Sequence, residues 1–348
     1  MDNGDTLFDF LESAAVSDIG RRRKRNEDSV AHIPSHGVFC IADGMGGEDA
    51  GDVASQATVR EVVAAMDAMT DLGERSSAQT KGDALDRALR KASEWIRKRS
   101  EEQGRGLSGS TVVVLTFDAA RPAHGVALHA GDSRIYRLRK KDLEQLTRDH
   151  SMAEESGLSK SQMPKMFRGM VTRAVGISEN LQLARAEVEV REGDLFLLCS
   201  DGLSGMLSHK KIRRLLLRHD DKPVATLAEN LVAAANDAGG EDNISAILVR
   251  VGSFPPPVPV ADAKPAEAKT DTDLLTPATA ERANAEPVPG EEDECERETA
   301  ETALLAPGAA DRHGRSGPND RPATGETLPR AMPKPHGLFG LFSGKDKE

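Results

Sequence analysis

The stretch Gly37-Val-Phe-Cys-Ile-Ala-Asp-Gly-Met-Gly-Gly47 is an apolar run that ends at an Asp-Gly pair. Its first six residues have the composition of a short buried strand. Two further apolar runs end near Asp132 and at Asp201, and a fourth acidic site, Asp242, lies just ahead of the last run. Each aspartate alone is more typical of a turn or a helix cap than of a ligand. As a set they indicate a candidate all-oxygen site of the kind that Mg²⁺ and Mn²⁺ prefer.

Other parts of the first 251 residues also have clear strand or helix patterns. Apolar side chains recur with helical spacing from Val59 to Met66 and from Leu85 to Ile96, and a third helix is predicted from Pro223 to about Ala238. Because strands and helices do not alternate regularly, the pattern predicts an α+β layered domain rather than a parallel doubly wound sheet. Further strands are predicted at Thr111–Phe117, Val126–His129, Leu195–Cys199 and Ile244–Val251.

The composition changes near residue 253. Of the 18 prolines, all but Pro34, Pro122, Pro164 and Pro223 follow Gly252. A segment dominated by Pro, Ala, Glu and Thr cannot bury enough apolar surface to offset the entropy of the chain. The sequence therefore predicts an N-terminal lead at 1–12, a folded domain at 13–252 and a disordered tail at 253–348. The apolar tip of this tail, at 337–342, is either a docking motif or a patch without function.

Charge and hydropathy argue against several classes of protein. The formal net charge of -11 argues against a nucleic-acid binder, which needs a surplus of Lys and Arg. The longest apolar runs fall far short of the ~20 residues of a membrane span, and the acidic N-terminus does not resemble an export signal. Three scattered cysteines form neither a disulfide framework nor a metal motif. We expect a cytoplasmic protein that is a monomer and binds neither nucleic acid nor membrane.

A dense basic cluster runs from Gly20 to Arg25 and is followed closely by Glu27 and Asp28. Most of its residues are typical of a solvated turn or a weak anion patch. A guanidinium beside a carboxylate-rich metal site is different, because its fork can bind two oxygens of a phosphate monoester.

Eight blocks of the sequence, in this order, resemble the protein phosphatase 2C family, also called the PPM family of metal-dependent phosphatases. The resemblance covers about residues 14 to 251, and the order and spacing of the blocks are similar to those of the bacterial branch. It implies a four-layer α-β-β-α sandwich with two mostly antiparallel sheets. The blocks are Ser17–Asp28, Ala42–Gly47, Ser108–Thr111, Ala130–Arg134, Leu146–Ser151, Val171–Gly176, Leu198–Leu203 and Glu241–Ile244.

The resemblance also implies a ligand set for metal ions. Asp43 would bridge two catalytic ions, Mn²⁺ or Mg²⁺, and the carbonyl of Gly44 would be a further ligand. Asp201 and Asp242 would complete the protein ligands of the first ion. Asp132, together with Asp201, would hold the third, weaker ion seen in bacterial members.

Direct hydrolysis of phosphoserine and phosphothreonine is the mechanism that the resemblance implies. A water bridging the two ions would attack phosphorus while Arg23 neutralises the phosphate oxygens. Glu27 and Asp28 would hold metal-bound waters. Many eukaryotic members have a His at the position of Met45, a proposed general acid. In this chain a metal-bound water is therefore the expected proton donor.

The stretch from Ser151 to Gly169 occupies the position of the family's mobile flap beside the active site. It is polar and carries Met163, Met166 and Phe167. These three side chains are either ordinary packing residues or part of an adaptable surface for phosphopeptides, and the sequence does not separate the two.

Two alternatives stand beside a phosphatase that opposes a bacterial Ser/Thr kinase. An inert protein with the PPM fold would bind partners without catalysis, but Arg23, Asp43, Asp201 and Asp242 are all present. A phosphatase of anti-sigma-antagonist proteins would share the chemistry, but such proteins usually carry sensor domains. Within the bacterial branch, residues 42–55 and 172–176 also resemble phosphatases encoded with type VI secretion systems, which oppose a threonine kinase.

Overall fold

The structure is a computed structural model that describes residues 7–46, 50–71, 76–104, 108–157, 164, 167, 169–218 and 222–255. Within these residues, no helix combines the length and the apolar character needed to cross a membrane. The strands are β1 (Leu11–Asp18), β2 (Asp28–Ile33), β3 (Val38–Met45), β4 (Gly109–Ser110), β5 (Val112–Phe117), β6 (His124–Ala130), β7 (Arg134–Arg139), β8 (Asp142–Gln145), β9 (Ala184–Glu189), β10 (Leu195–Cys199) and β11 (Ile244–Val251). The helices are α1 (Ala50–Asp71), α2 (Ala78–Glu102), α3 (Met152–Ser156), α4 (Asp201–Ser204), α5 (His209–Arg218) and α6 (Val224–Asp237), with a 3₁₀ turn at Pro34–His36.

The strands form two antiparallel sheets. The first has the order β1-β11-β10-β7-β8, and the second has the order β2-β3-β5-β6-β9, with β4 paired to the end of β3. β1 pairs with β11 along its whole length, from Leu11 opposite Val251 to Asp18 opposite Ile244. The beginning and the end of the domain therefore lie side by side in one sheet.

Three apolar cores separate four layers. α1 and α2 pack on the second sheet and enclose a core with Val62, Leu85 and Leu89, whereas α5 and α6 pack on the first sheet. Between the sheets, the ring of Phe117 contacts those of Phe39 and Phe196 edge to face, at centroid distances of 5.9 Å and 5.5 Å. The predicted α-β-β-α sandwich with two antiparallel sheets is confirmed, as are the predicted strands and helices named above.

The folded domain extends beyond the predicted limits at its beginning. Phe8 and Phe10, within the predicted lead at 1–12, are buried in the core between the sheets. The ring of Phe254 contacts Phe10 edge to face at 5.8 Å, so the chain directly after β11 also packs on this core. Apart from residues 253–255, the predicted tail and its tip at 337–342 lie outside the described residues.

Candidate active site

A cavity of about 490 Å³ opens where the ends of strands from both sheets meet. The β1–β2 loop and the end of β3 line part of it. Further lining comes from the residues that follow β6, precede β11 and begin α4, and from residues 169–171. The structure thus brings together residues that are far apart in the sequence. The predicted site residues that line the cavity are Arg23, Glu27, Asp43, Gly44, Asp132, Asp201 and Asp242.

Asp43 is held at the end of β3 by its own backbone. Its N–H donates to Thr111 Oγ1 at 3.3 Å, and its carbonyl accepts from the N–H of Thr111 at 2.8 Å and from Ser110 Oγ at 3.1 Å. In the β2–β3 register it lies opposite Asp28. The backbone is therefore fixed by neighbouring strands, and the carboxylate remains available to the cavity.

The glycines after two of the aspartates are required by close packing of the backbone. A Cβ on Gly44 would lie 2.0 Å from the carbonyl oxygen of Gly51, at the start of α1. A Cβ on Gly202 would lie 1.9 Å from the carbonyl oxygen of Asn243. Both distances are far below a normal contact, so only glycine fits. The repeated Asp-Gly pair thus marks places where two segments of backbone approach closely beside the cavity.

Asp28 lies at the start of β2 and is buried. Its Oδ2 accepts hydrogen bonds from Ser200 Oγ at 2.8 Å and Ser245 Oγ at 2.7 Å, whereas its buried Oδ1 has no hydrogen-bond partner among the described residues. Burial raises the pKa of Asp28 to about 6, although these two hydrogen bonds act in the opposite direction. A buried carboxylate oxygen without a donor is costly, and it is a suitable acceptor for a water held by a cation.

Arg23 lies at the mouth of the cavity, with its side chain 45% exposed. Its guanidinium donates to Asp242 Oδ2 at 2.7 Å and to Glu27 Oε2 at 3.3 Å. Burial alone would lower the pKa of Arg23, but the hydrogen bond and charge of Asp242 outweigh it, and the pKa is raised. The side chain is therefore cationic and directed toward the carboxylates.

The carboxylates raise one another's pKa values. Burial is the largest cause at each position, and the neighbouring negative charges add to it. The pKa of Asp132 is raised to about 7 by burial and by the charge of Asp201. The pKa of Asp43 is raised well above its ordinary value by burial and by the charges of Asp28, Asp201 and Asp242. Burial and Asp242 also raise the pKa of Asp201.

The residues present fit divalent cations that prefer oxygen. The donors are carboxylates and a backbone carbonyl, one buried oxygen lacks a donor, and the mutual repulsion of the acids would be relieved by positive charge. In the part of the chain that the structure describes, no three His, Cys, Asp or Glu side chains already form a group that could hold a metal ion. One of the predicted ligands, Asp242, is instead bound to Arg23 and to the N–H of Asn243.

Several residues that shape the site were not singled out from the sequence. Asn243 is the clearest case: its Oδ1 accepts from the N–H of Glu27 at 2.8 Å, and its Nδ2 donates to the carbonyls of Ile19 at 2.9 Å and Arg25 at 2.8 Å. It thereby clamps the loop that carries Arg23. Its position directly after Asp242, a predicted ligand, was the one sequence feature that could have indicated its role. Ser200, directly before Asp201, and Thr111, at the end of the Ser108–Thr111 block, had a similar signal, whereas Ser245 had none.

The predicted flap is only partly described. Met163 and Met166 lie outside the described residues, and Phe167 is half-buried. Among the described residues, the cavity lining on this side comes from Gly169, Met170 and Val171, not from Phe167. Met170 is 49% exposed, so an apolar side chain stands open to solvent beside the acidic cavity.

A two-sheet sandwich whose edge carries an acidic cavity and an arginine is the arrangement expected of a metal-dependent phosphoester hydrolase. The sequence profile described as "Protein phosphatase 2C" matches residues 20–248. Protein phosphatase PhpP of Streptococcus pneumoniae is 31% identical over 248 residues, which are 69% of this chain and 97% of that protein. The chain belongs to the protein phosphatase 2C family, and it is a protein serine/threonine phosphatase.

Two solved structures show the same fold. PppA, described as a key regulatory component of T6SS in Pseudomonas aeruginosa, has a TM-score of 0.61 and 35% identity, over 69% of this chain and 97% of that one. The catalytic domain of the serine/threonine protein phosphatase PstP, in complex with two manganese ions, has a TM-score of 0.59 and 32% identity, over 70% of this chain and 99% of that one. A relative with this fold therefore holds two manganese ions.

Proposed function

We propose that the chain hydrolyses phosphoserine and phosphothreonine in proteins with the help of two Mn²⁺ or Mg²⁺ ions held in the acidic cavity. The observation that carries this proposal is that one cavity gathers Arg23 with Asp43, Asp132, Asp201 and Asp242. The complex of PstP with two manganese ions supports the same assignment.

The proposed roles of the acidic residues are those that the family resemblance implies. Asp43, the carbonyl of Gly44, Asp201 and Asp242 would hold the two catalytic ions, and Asp132 with Asp201 would hold a third ion. When bound, the ions supply an activated water and positive charge on the phosphoryl oxygens. Gly44 and the Thr111 contacts fix the backbone of Asp43 at the edge of the cavity.

Arg23 is the proposed phosphate-binding residue. Its guanidinium faces the cavity and forms exposed hydrogen bonds with Asp242 and Glu27. A phosphate monoester would compete with Asp242 for the same fork of N–H groups. Asn243 holds the backbone of this loop at Ile19, Arg25 and Glu27, and it therefore acts as a positioning residue for the arginine.

The remaining cavity residues have supporting roles in this proposal. Glu27 and the buried Asp28 would each accept hydrogen bonds from waters on the ions, and the unpaired Oδ1 of Asp28 is suited to this. Met45 carries no proton to donate, so the leaving oxygen of the substrate would take its proton from solvent held in the cavity. Met163, Met166 and Phe167 are proposed to contact the phosphopeptide from the flap.

A bacterial Ser/Thr kinase is the proposed counterpart of this enzyme. The likeness to PppA supports a type VI secretion setting, because that protein is described as a regulatory component of such a system. The tail tip at 337–342 is proposed as a docking motif for a kinase, a substrate or a scaffold. We also propose that the chain works in the cytoplasm as a monomer.

The function is tested by hydrolysis of p-nitrophenyl phosphate and of a phosphothreonine peptide. The purified full chain is assayed with Mn²⁺ and with EDTA, and so are Asp43→Asn, Asp201→Asn and the control Asp142→Asn, an exposed residue of β8. We expect activity that requires Mn²⁺, falls by about 10³-fold in the first two variants and is unchanged in the control. A folded wild type that binds Mn²⁺ but hydrolyses neither substrate would contradict the proposal and favour an inert binding protein.

A further inference from the structure

The chain contains a single tryptophan, Trp95, and it lies on the surface. Only 3% of the residues are aromatic, and most of the phenylalanines described by the structure are in the core. Trp95 lies on α2 on the side that faces α1, with 40% of its surface exposed. Exposed tryptophans are costly to leave in water and are enriched at the centres of interaction surfaces. The exposed part of Trp95 is therefore a candidate contact surface.

Two arginines lie over the indole ring. The guanidinium carbons of Arg60, from α1, and Arg99, from α2, are 5.4 Å and 5.3 Å from the ring centroid. Both side chains are exposed, and among the described residues neither guanidinium forms an ion pair with a carboxylate. Other cations of α2 do form such pairs, for example Arg97 with Glu101 at 2.6 Å. Within the described residues, no carboxylate occupies the N–H donors of these two guanidinium groups, and such donors bind carboxylates.

This surface is close to the catalytic cavity. A small cleft beside Trp95 and Arg99 is also lined by Ala50 and Ser108. Gly46 lines the catalytic cavity, and a Cβ built on it would lie 3.1 Å from the Cβ atoms of both Ala50 and Ser108. Gly46 therefore stands between the cleft and the catalytic cavity. A peptide whose phosphorylated residue enters the cavity has to continue over the rim, and this cleft lies on one side of it.

We propose that Arg60, Trp95 and Arg99 bind an acidic side chain, Asp or Glu, located near the phosphorylated residue of the protein substrate. The inference rests on the proposed function and adds a preference for acidic sequence context. The two guanidinium groups bind the carboxylate, and the indole packs on the aliphatic part of the side chain. Because the protein has a net charge of -11, an acidic substrate is repelled by the protein as a whole. A local positive surface would offset that repulsion where the substrate binds.

The intrinsic fluorescence of Trp95 gives a readout that does not depend on catalysis. The full chain is titrated with phosphothreonine peptides that carry one aspartate at each of the four positions on either side, and with the matched asparagine peptides. We expect a saturable change in fluorescence for aspartate at one or two positions, and no comparable change for asparagine. Equal changes, or no change with any peptide, would overturn the inference.

Kinetics with charge reversal supply the second test. In the double variant Arg60→Glu/Arg99→Glu we expect the KM for the preferred acidic peptide to rise about tenfold, with kcat and p-nitrophenyl phosphate hydrolysis unchanged. A lysine peptide should be hydrolysed better by this variant than by the wild type. The control is Arg87→Glu, which changes an exposed arginine of α2 that lies ~18 Å from Arg99 along the helix axis. An unchanged KM in the double variant, or an equal rise in the control, would overturn the inference.

The two proposals fail in different ways. If the wild type does not hydrolyse p-nitrophenyl phosphate with Mn²⁺, the proposed function is wrong, and the fluorescence titration still decides whether the surface binds acidic peptides. If hydrolysis is normal but the wild type shows the same KM for aspartate and asparagine peptides, only the inference about substrate context is wrong.

Discussion

The core between the two sheets is shielded from water, whereas the cavity at their edge opens to solvent, and the two contain opposite kinds of side chain. In the core, Phe39, Phe117 and Phe196 are fully buried and in contact edge to face. At the edge, Asp28 is buried and Asp43 lies opposite it on the neighbouring strand. The same strand, β3, supplies Phe39 to the core and Asp43 to the cavity.

This difference separates the residues that stabilise the fold from those that perform the reaction. Burying aromatic rings stabilises the folded state, whereas burying carboxylates beside one another destabilises it unless a cation is present. The raised pKa values of Asp43, Asp132 and Asp201 are the electrostatic cost of the site. The core has to be stable enough to offset that cost, and the substitutions below should affect one region without the other.

The largest effect on stability is expected for Phe196→Ala. Loss of this fully buried ring between the sheets should lower the free energy of unfolding by about 3–5 kcal/mol, because a cavity is left among Phe117 and its neighbours. Urea unfolding followed by circular dichroism measures the change. The Mn²⁺ requirement of the remaining folded protein should not change. Leu7→Ala, which truncates a residue that is 40% exposed, should cost no more than about 0.5 kcal/mol, and an equal loss in both variants would contradict this view of the core.

Arg23→Lys should lower activity and leave stability nearly unchanged, the reverse of what is expected for Phe196→Ala. The lysine keeps the charge but loses the planar fork, so kcat/KM for the phosphothreonine peptide should fall by about 10²-fold. The free energy of unfolding should stay nearly unchanged, because the ion pair with Asp242 is exposed. The matched control is Arg22→Lys, on the same loop and exposed. Similar activities of the two variants would show that Arg23 has no special role.

The acidic edge should make the stability of the metal-free protein depend on pH. The folded-state pKa values of Asp28 and Asp132 are raised to about 6 and about 7, from an unfolded value near ~3.9. The folded state therefore binds these protons more tightly, and their contribution to stability is lost as the pH rises from about 4 to about 7. In EDTA, the melting temperature of the wild type should fall over this range more steeply than that of Asp132→Asn. Parallel curves for the two proteins would contradict the assignment.

The smallest effect is expected outside both regions. Removing residues 256–348 should leave hydrolysis of p-nitrophenyl phosphate within about twofold of the full chain, because the described core and cavity are built from residues before that point. Steady-state kinetics of the truncated and full-length proteins measure this. A loss of activity in the truncated protein would show that the predicted boundary near residue 253 is misplaced.

The sequence predicted those parts of the fold in which one residue type dominates a whole segment. β5, β10 and β11 are buried almost throughout, so their apolar runs are continuous and easily recognised. β1 and β9 lie at the edges of their sheets and are only partly buried. The mixed sequence of β1 carries no period-2 signal, whereas β9, Ala-Arg-Ala-Glu-Val-Glu, alternates apolar and polar residues and was missed although that signal was present. The N-terminal limit was also missed, because Phe8 and Phe10 are isolated apolar residues in an acidic segment.

The acidic residues of the site were recognisable because each follows an apolar run or stands just ahead of one, and because their blocks occur in family order. Contacts between segments that are distant in the sequence were not recognisable from it. The two hydroxyls that hold Asp28, from Ser200 and Ser245, come from residues more than 170 positions away in the sequence. The clamp that Asn243 forms on the Arg23 loop joins residues more than 210 positions apart. Such pairs depend on which strands become neighbours, and local patterns do not contain that information.

The most direct test of the central claim, that the edge cavity holds divalent cations at a cost in stability, is thermal unfolding of the wild type and Asp43→Asn in Mn²⁺ and in EDTA. The claim predicts that Mn²⁺ raises the melting temperature of the wild type by about 5–10 °C and that of the variant by much less. In EDTA the variant should be at least as stable as the wild type, because a buried negative charge has been removed. Equal stabilisation of both proteins by Mn²⁺, or a variant that is less stable in EDTA, would contradict the claim.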